Sequence, residues 1–187
     1  MDKEEELRSL IEELKALSNP ALRELSKNLV PGEGNINSKV VFIGEAPGRD
    51  EDREGRPFVG AAGRFLTQAL ESAGLHRKEV YITNVVKRRP PRNRPPRKGE
   101  VAVFLPYLRR ELEIIRPKVV CLLGSTAVKA LLGRSLAEVR GKVVRGGGWT
   151  FFSTYHPAAV IYNPGLEGVL LDDLRRLREI LDEMEKV

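Results

Sequence analysis

The glycine-rich stretch at residues 44–63 carries side chains that could act on a polar, planar ligand. Its glycines permit close approach of the backbone and positive φ angles. The N–H groups of residues 60–63, where a helix is predicted to begin, could face an anion or a polar ligand edge. The glycine spacing matches neither a P-loop nor a dinucleotide-binding fingerprint. From the residues alone, Glu45 and Glu51 fit solvated charges as well as catalytic carboxylates, and Phe58 fits a core residue as well as a stacking platform.

A second candidate is Asn84, which ends an apolar run and precedes a basic segment at residues 87–98. A carboxamide presents a donor and an acceptor together, which suits the edge of a nucleobase, although Asn at a strand end often only caps a turn. The basic segment reads KRRPPRNRPPRK, with seven basic residues and no acidic one. Its four prolines favour an extended chain. The segment is therefore predicted either to hold arginines along a phosphate backbone or to be a solvated surface loop.

The third candidate is His156, which lies in the sequence Tyr-His-Pro-Ala-Ala at residues 155–159. It is one of two histidines, and the other, His76, lies in a polar loop beside Arg77 and Lys78. A lone histidine at the end of a strand is usually structural. The residues alone leave both a structural and a functional role open for His156.

Strands and helices alternate along the chain and are predicted to position these candidates. Apolar runs predict strands at residues 39–44, 80–83 and 118–123 and a hairpin at 143–144 and 149–154. Helical spacing predicts helices at residues 4–17, 21–29, 61–72, 100–115, 125–132 and 166–186. This alternation predicts an α/β fold with a largely parallel central sheet, in one domain spanning residues 1–187. Ligands of such sheets bind outside the carboxyl ends of the strands, where all three candidate segments begin.

The composition restricts the class of protein. The chain has 187 residues, 32 Lys+Arg against 26 Asp+Glu, and a single cysteine, Cys121. One cysteine excludes an intrachain disulfide and a cysteine-built metal cluster. There is no run of about 18 apolar residues, and the acidic first residues do not resemble a secretory signal, so we expect an intracellular, cytoplasmic protein that does not enter membranes. The high charge content and the single glutamine are typical of thermophilic proteins.

Four motifs together resemble the family 4 uracil-DNA glycosylases, the thermostable type. They are GEAPGRDE, GRPFVGAAG, VYITNVVKRRPP and YHPAA, in the order and spacing of that family. The resemblance implies a three-layer α/β/α domain with a mainly parallel sheet, for which we expect four strands. It also implies a DNA repair enzyme of base excision that hydrolyses the N-glycosidic bond of uracil in single- and double-stranded DNA and leaves an abasic site. We expect a monofunctional, monomeric, prokaryotic enzyme.

The resemblance also assigns roles to individual residues. Phe58 is expected to stack on the flipped uracil, Asn84 to hydrogen-bond its polar edge, and His156 to face its O2. Glu45 and Glu51 belong to the motif that positions the attacking water. The other predicted site residues are Gly44, Ala46 and Ser125 around the base, Lys87, Arg89, Arg92 and Arg94 on the DNA phosphates, and Val160 and Tyr162 in the segment that wedges into the vacated base stack.

The sequence departs from this family at the iron–sulfur cluster. Family members ordinarily hold a [4Fe–4S] cluster on four cysteines, and the aligned positions here are Leu17, Pro20, Arg88 and Phe104. We therefore expect a variant without the cluster and without a metal or organic cofactor. We also expect Arg88 to point into the protein and pair with an acidic residue of the N-terminal helices, rather than to contact DNA.

Two alternatives remain open from the sequence. One is a glycosylase of the same superfamily with shifted base specificity, for example for hypoxanthine or a damaged pyrimidine. The other is a non-catalytic DNA-binding protein that kept the fold after the cluster was lost. Phe58, Asn84 and His156 are all retained, which favours an enzyme, because a decayed enzyme is expected to lose such residues first.

Overall fold

A computed structural model of the chain describes residues 1–186 and is built around one six-stranded sheet. The strands are β1 (Glu33–Gly34), β2 (Val40–Gly44), β3 (Tyr81–Asn84), β4 (Val119–Leu123), β5 (Val143–Gly146) and β6 (Trp149–Thr154). Their order in the sheet is β1-β3-β2-β4-β6-β5. The four interior strands are mutually parallel, and the two edge strands pair antiparallel with their neighbours.

Helices cover both faces of the sheet and give the predicted three layers. Alternate strand residues point to opposite faces, so that Val41 and Ile43 of β2 join one core and Val40 and Phe42 join the other. The helices are α1 (Lys3–Ala16), α2 (Arg49–Glu54), α3 (Ala61–Ser72), α4 (Lys98–Ile115), α5 (Ser125–Leu132), α6 (Leu136–Val139), α7 (Pro157–Tyr162) and α8 (Glu167–Glu185). Helices α1, α4 and α5 supply residues to the first core, and α3, α7 and α8 supply residues to the second.

The parallel register brings the candidate segments to one edge of the sheet. Gly44 at the end of β2 lies opposite Asn84 at the end of β3. On the other side of β2 the sheet continues with β4 and then β6, and His156 follows the end of β6. Because successive strands are added on opposite sides of β2, the edge near Gly44 is the switch point at which ligands of α/β sheets bind.

The structure corrects three predictions of local structure. The sheet has six strands rather than four, because the two-residue strand β1 forms before β2 and the predicted hairpin adds β5 to the other edge. A single 3-10 turn at Pro20–Leu22 replaces the predicted helix at 21–29. A short helix, α7, which is absent from the predicted helices, follows His156, because Pro157 suits the first helical position and the His156 side chain caps the helix.

Within residues 1–186, every helix is too short or too polar to span a membrane.

Candidate active site

Phe58 is held in an unusual backbone conformation just before α3. Its φ angle is 51°, in the left-handed region that few large side chains adopt. The Arg77 guanidinium donates to the carbonyl oxygens of Phe58 (2.6 Å) and Pro57 (2.7 Å). A Cβ atom on Gly63 would lie 2.0 Å from the Phe58 carbonyl carbon, so only glycine fits there. These contacts fix the aromatic ring at the edge of the sheet.

Asn84 ends β3 with its side chain in the interior. The residue is 3% exposed, and its Oδ1 atom is buried with no hydrogen-bond partner among the described residues. A Cβ atom on Gly44 would lie 2.6 Å from that oxygen and 2.5 Å from Cζ of Phe58. Glycine at position 44 therefore gives the carboxamide and the aromatic ring the room to meet. A buried polar atom without a partner is costly, and a ligand that donates a hydrogen bond to this oxygen would offset that cost.

His156 lies at the start of α7 with its ring against Phe58. The ring centroids are 5.5 Å apart, with 28° between the planes. The Nδ1 atom accepts a hydrogen bond from the Ala158 backbone N–H at 3.0 Å, so the proton of the neutral imidazole lies on Nε2. Burial lowers the pKa of His156 to about 4, and the nearby Glu51 carboxylate opposes this only partly. His156 is therefore a neutral donor near pH 7.

These side chains meet around a small cavity of about 50 Å³. Its walls include five of the predicted site residues, Ala46, Glu51, Phe58, Asn84 and His156, together with Ala62 and Gly63. Gly44 lies directly beside the ring of Phe58 and the amide of Asn84. Ser125 begins α5 with an exposed side chain and is not part of the cavity wall, so its predicted contact with the base has no geometric support.

The two glutamates of the first motif have different surroundings. The Glu51 carboxylate accepts three backbone hydrogen bonds, from the N–H groups of Gly48 (2.9 Å), Val59 (2.9 Å) and Gly60 (2.7 Å). It braces the loop that carries Phe58. Glu45 has one side-chain contact, the hydroxyl of Thr126 in α5, which donates to its Oε2 atom. Glu45 therefore keeps an oxygen free of protein donors within the described structure, whereas Glu51 has both oxygens engaged.

The basic segment does not present all of its charges to solvent. Lys87 is 1% exposed, and its ammonium donates to the Glu111 carboxylate at 2.7 Å, so the prediction that it contacts DNA is wrong. Arg94 is partly exposed, but its charge is paired, because both of its terminal nitrogens donate to Glu100 at 2.8 Å. Arg92 is exposed, and Arg89 is partly exposed with its Nε donating to Asn93.

Helix α7 divides the predicted wedge segment into a buried and an exposed side. Val160 is 4% exposed and packs in the core formed by α3 and α8, so it is not available to DNA. The prediction for Val160 is therefore wrong. Tyr162 is 91% exposed and Ile161 is 48% exposed, and both project beyond the helix. Ile161 lies within the predicted wedge segment at residues 159–163.

The residues at the four aligned cysteine positions do not fit an iron–sulfur cluster. The Arg88 Nη2 atom donates to the carbonyl oxygens of Leu17 (3.0 Å) and Leu14 (3.2 Å) at the end of α1. Phe104 is completely buried in the core against which Leu17 packs. A guanidinium and apolar side chains therefore stand where thiolates are required. The expected inward orientation of Arg88 is confirmed, but its partners are helix carbonyls rather than an acidic side chain.

Comparison with known proteins agrees with this geometry. Residues 31–184 match the family model described as the uracil DNA glycosylase superfamily. The chain belongs to this superfamily. It is 43% identical to a type-4 uracil-DNA glycosylase of Sulfurisphaera tokodaii, over 93% of this chain and 84% of that protein. It is 45% identical to a type-4 uracil-DNA glycosylase of Pyrobaculum aerophilum, over 90% of this chain and 91% of that protein. A type-5 enzyme of the same organism is 37% identical over 73% of this chain.

The sequence did not identify several residues whose hydrogen bonds support the candidate active site. Arg77 reads as a solvated charge beside His76, Thr126 as an ordinary helix residue, and Glu111 as part of the polar face of α4. Each acts through a partner between 10 and 81 positions away along the chain. No local pattern reports such contacts, so only the fold could reveal them.

Proposed function

We propose that this protein is a uracil-DNA glycosylase that hydrolyses the bond between uracil N1 and the sugar C1′ in DNA. The observation that carries the proposal is the buried, unpartnered carboxamide of Asn84 in a cavity walled by Phe58 and His156. The polar edge of uracil presents the N3–H donor beside the O4 acceptor. One carboxamide satisfies both, accepting from N3–H and donating to O4. The ring of Phe58 offers a face on which the flipped base stacks.

Neutral His156 stabilises the leaving group in this proposal. As the glycosidic bond breaks, its electrons pass to uracil, and negative charge develops on O2. The Nδ1 atom of His156 is already occupied by the Ala158 N–H, so Nε2–H is the donor that faces the base. A preorganised donor of this kind contributes about 3–4 kcal/mol to the transition state. The uracil anion then takes a proton from solvent.

Glu45 orients the water that attacks C1′. Its carboxylate is held by Thr126 and retains an oxygen that can accept from the water. Glu51 has both oxygens engaged by backbone N–H groups, so its role is to hold the loop and the cavity wall. The position next to Glu45 is Ala46, so no second carboxylate acts there. Leaving-group stabilisation by His156 therefore carries more of the rate than general-base catalysis.

In this proposal, two sets of exposed side chains contact the DNA, one at the phosphates and one at the flipped nucleotide's place in the base stack. Arg92 and the partly exposed Arg89 contact phosphates. Ile161 and Tyr162 fill the space that the flipped nucleotide leaves in the stack, as apolar side chains do in kinked DNA. The two groups flank the same edge of the sheet as the cavity. We take residues 1–187 as one domain, which the single continuous sheet supports, and we propose that it acts as a monomer on single- and double-stranded DNA.

The test is incubation with oligonucleotides that contain one uracil, one hypoxanthine or only normal bases, each single- and double-stranded. Alkaline treatment then cleaves the strand at any abasic site. Cleavage at uracil alone supports the proposal. Cleavage at hypoxanthine but not at uracil would indicate the enzyme of shifted specificity, and binding without cleavage would indicate a non-catalytic DNA-binding protein.

A further inference from the structure

A buried ionic network lies directly behind Asn84. The ammonium of Lys87 donates to the carbonyl oxygen of Asn84 (2.7 Å), to a Glu111 carboxylate oxygen (2.7 Å) and to the hydroxyl of Thr83. The other Glu111 oxygen accepts from the Tyr81 hydroxyl at 2.7 Å. The side chains of Lys87 and Glu111 are 1% and 4% exposed. All three hydrogen bonds of the ammonium are therefore directed at the end of β3 and at α4.

This network holds the backbone of Asn84, whereas the side-chain oxygen of Asn84 has no hydrogen bond within the described residues. The Asn84 Oδ1 atom has no partner within the described residues, so no hydrogen bond to that oxygen fixes the carboxamide before the base arrives. Its position depends on the backbone from which it projects. Lys87 ties that backbone to α4, an 18-residue helix, through Glu111. A displacement of the carboxamide by a fraction of an ångström would misalign both hydrogen bonds to the base.

We infer that Lys87 and Glu111 are positioning residues for base recognition, acting through the backbone of Asn84. The inference rests on the proposed function, because it assigns the network to the same uracil site. A purely stabilising role explains the burial poorly, since replacing a buried ion pair by neutral side chains is often without cost in stability. The ammonium also directs one of its three hydrogen bonds at the backbone carbonyl of Asn84, a residue of the cavity wall.

The experiment separates positioning from stability by choice of variant. Lys87→Met alone leaves the buried Glu111 carboxylate with hydroxyl donors but without its cation and would unfold much of the protein. The double variant Lys87→Met/Glu111→Gln removes both buried charges together. The carboxamide oxygen that it introduces on α4 still accepts a hydrogen bond from the Tyr81 hydroxyl. The matched control is Tyr81→Phe, which removes one hydrogen bond to the same carboxylate but leaves Lys87 on Asn84. Melting temperatures and DNA dissociation constants are measured for all variants.

Single-turnover excision of uracil is then measured in the Asn84 and Asn84→Ala backgrounds. We expect Lys87→Met/Glu111→Gln to slow excision about 10-fold in the Asn84 background. In the Asn84→Ala background we expect a change below about 2-fold, because the carboxamide that the network positions is gone. We expect Tyr81→Phe to excise at the parental rate.

Three results would overturn the inference. The first is an unchanged rate for the double variant in the Asn84 background. The second is a full loss in both backgrounds, which would mean that the pair acts independently of Asn84. The third is a loss in Tyr81→Phe equal to that of the double variant. Absence of uracil excision by the parent protein is a different result, which would refute the proposed function and this inference with it.

Discussion

The hydroxyl of Thr126 donates to the carboxylate of Glu45, joining the first residue of the loop after β2 to the first turn of α5. The contact fixes one carboxylate oxygen and leaves the other for water. We expect Glu45→Gln to lower uracil excision about 100-fold, because the amide is a poorer acceptor for the water proton. Thr126→Val should cause a smaller loss, since it removes only the hydrogen bond that orients Glu45. Single-turnover rates at saturating enzyme measure both.

Glu51 gives the contrasting prediction. Its carboxylate closes three backbone hydrogen bonds around the loop that carries Phe58, so Glu51→Ala should lower the melting temperature as well as the rate. Glu45→Gln should leave the melting temperature unchanged. The opposite pattern, with Glu51→Ala fully stable and Glu45→Gln fully active, would transfer the water-orienting role to Glu51.

The depressed pKa of His156 predicts the shape of the pH–rate profile. Burial lowers this pKa from 6.5 to about 4, so the imidazole stays neutral throughout the range from pH 5 to 8. Excision should therefore be level across the ordinary titration range of histidine and should fall only as the pH approaches about 4. An acid limb with its midpoint near 6.5 that disappears in His156→Ala would contradict the neutral-donor assignment.

The same shift predicts a pH dependence of folding stability. The unfolded chain binds a proton at His156 below about pH 6.5, whereas the folded chain binds it only near pH 4. The contribution of neutral His156 to the free energy of unfolding is therefore complete above pH 6.5 and is lost as the pH falls from 6.5 towards 4. Urea unfolding of the parent and of His156→Ala at pH 7 and pH 5 measures it. The parent should lose more stability than the variant over that interval.

Arg88 tests how the chain holds its N-terminal helix without cluster cysteines. Its guanidinium caps two carbonyl oxygens at the end of α1, where the helix dipole favours a cation. We expect Arg88→Ala to lower the free energy of unfolding by about 1–2 kcal/mol. The dependence of DNA affinity on salt should not change.

Arg92 is the matched control for Arg88. It lies in the same basic segment with an exposed side chain, so Arg92→Ala should leave the melting temperature unchanged and flatten the slope of log K against log salt by about 0.9. A flattened slope with unchanged melting in Arg88→Ala would place that residue on DNA instead.

The expectation of a protein without an iron–sulfur cluster is tested by iron analysis of the purified protein. We expect no bound iron, and stoichiometric iron would contradict the expectation.

Much of the architecture could be predicted from local patterns. The apolar runs of β2 and β4 are buried on both faces, which is why they read clearly as interior strands of a parallel sheet. The helix at 21–29 could not be judged correctly, because the spacing of its leucines also serves a 3-10 turn packed against α4. The edge strand β1 is too short to leave a pattern.

In the site, the sequence identified the types of the side chains but not the directions in which they point. Phe58, Asn84 and His156 were identified by motif, and the structure brings them together. Lys87 was misjudged because its burial depends on Glu111, 24 residues later in the chain. Val160 was misjudged because the direction of its side chain is set by α7. This helix begins at Pro157 and is capped by the side chain of His156. Residue type predicts chemistry, but the partners along other elements decide which side chains face the ligand.

The most direct test of the account is free uracil released from a uracil-containing oligonucleotide, measured by mass spectrometry for the parent and for Asn84→Ala. The parent should release one uracil per oligonucleotide. Asn84→Ala should bind the DNA with nearly the parental affinity, since affinity comes mainly from phosphates, and should release uracil about 100-fold more slowly. Absence of free uracil with the parent, or release by Asn84→Ala at the parental rate, would contradict the account.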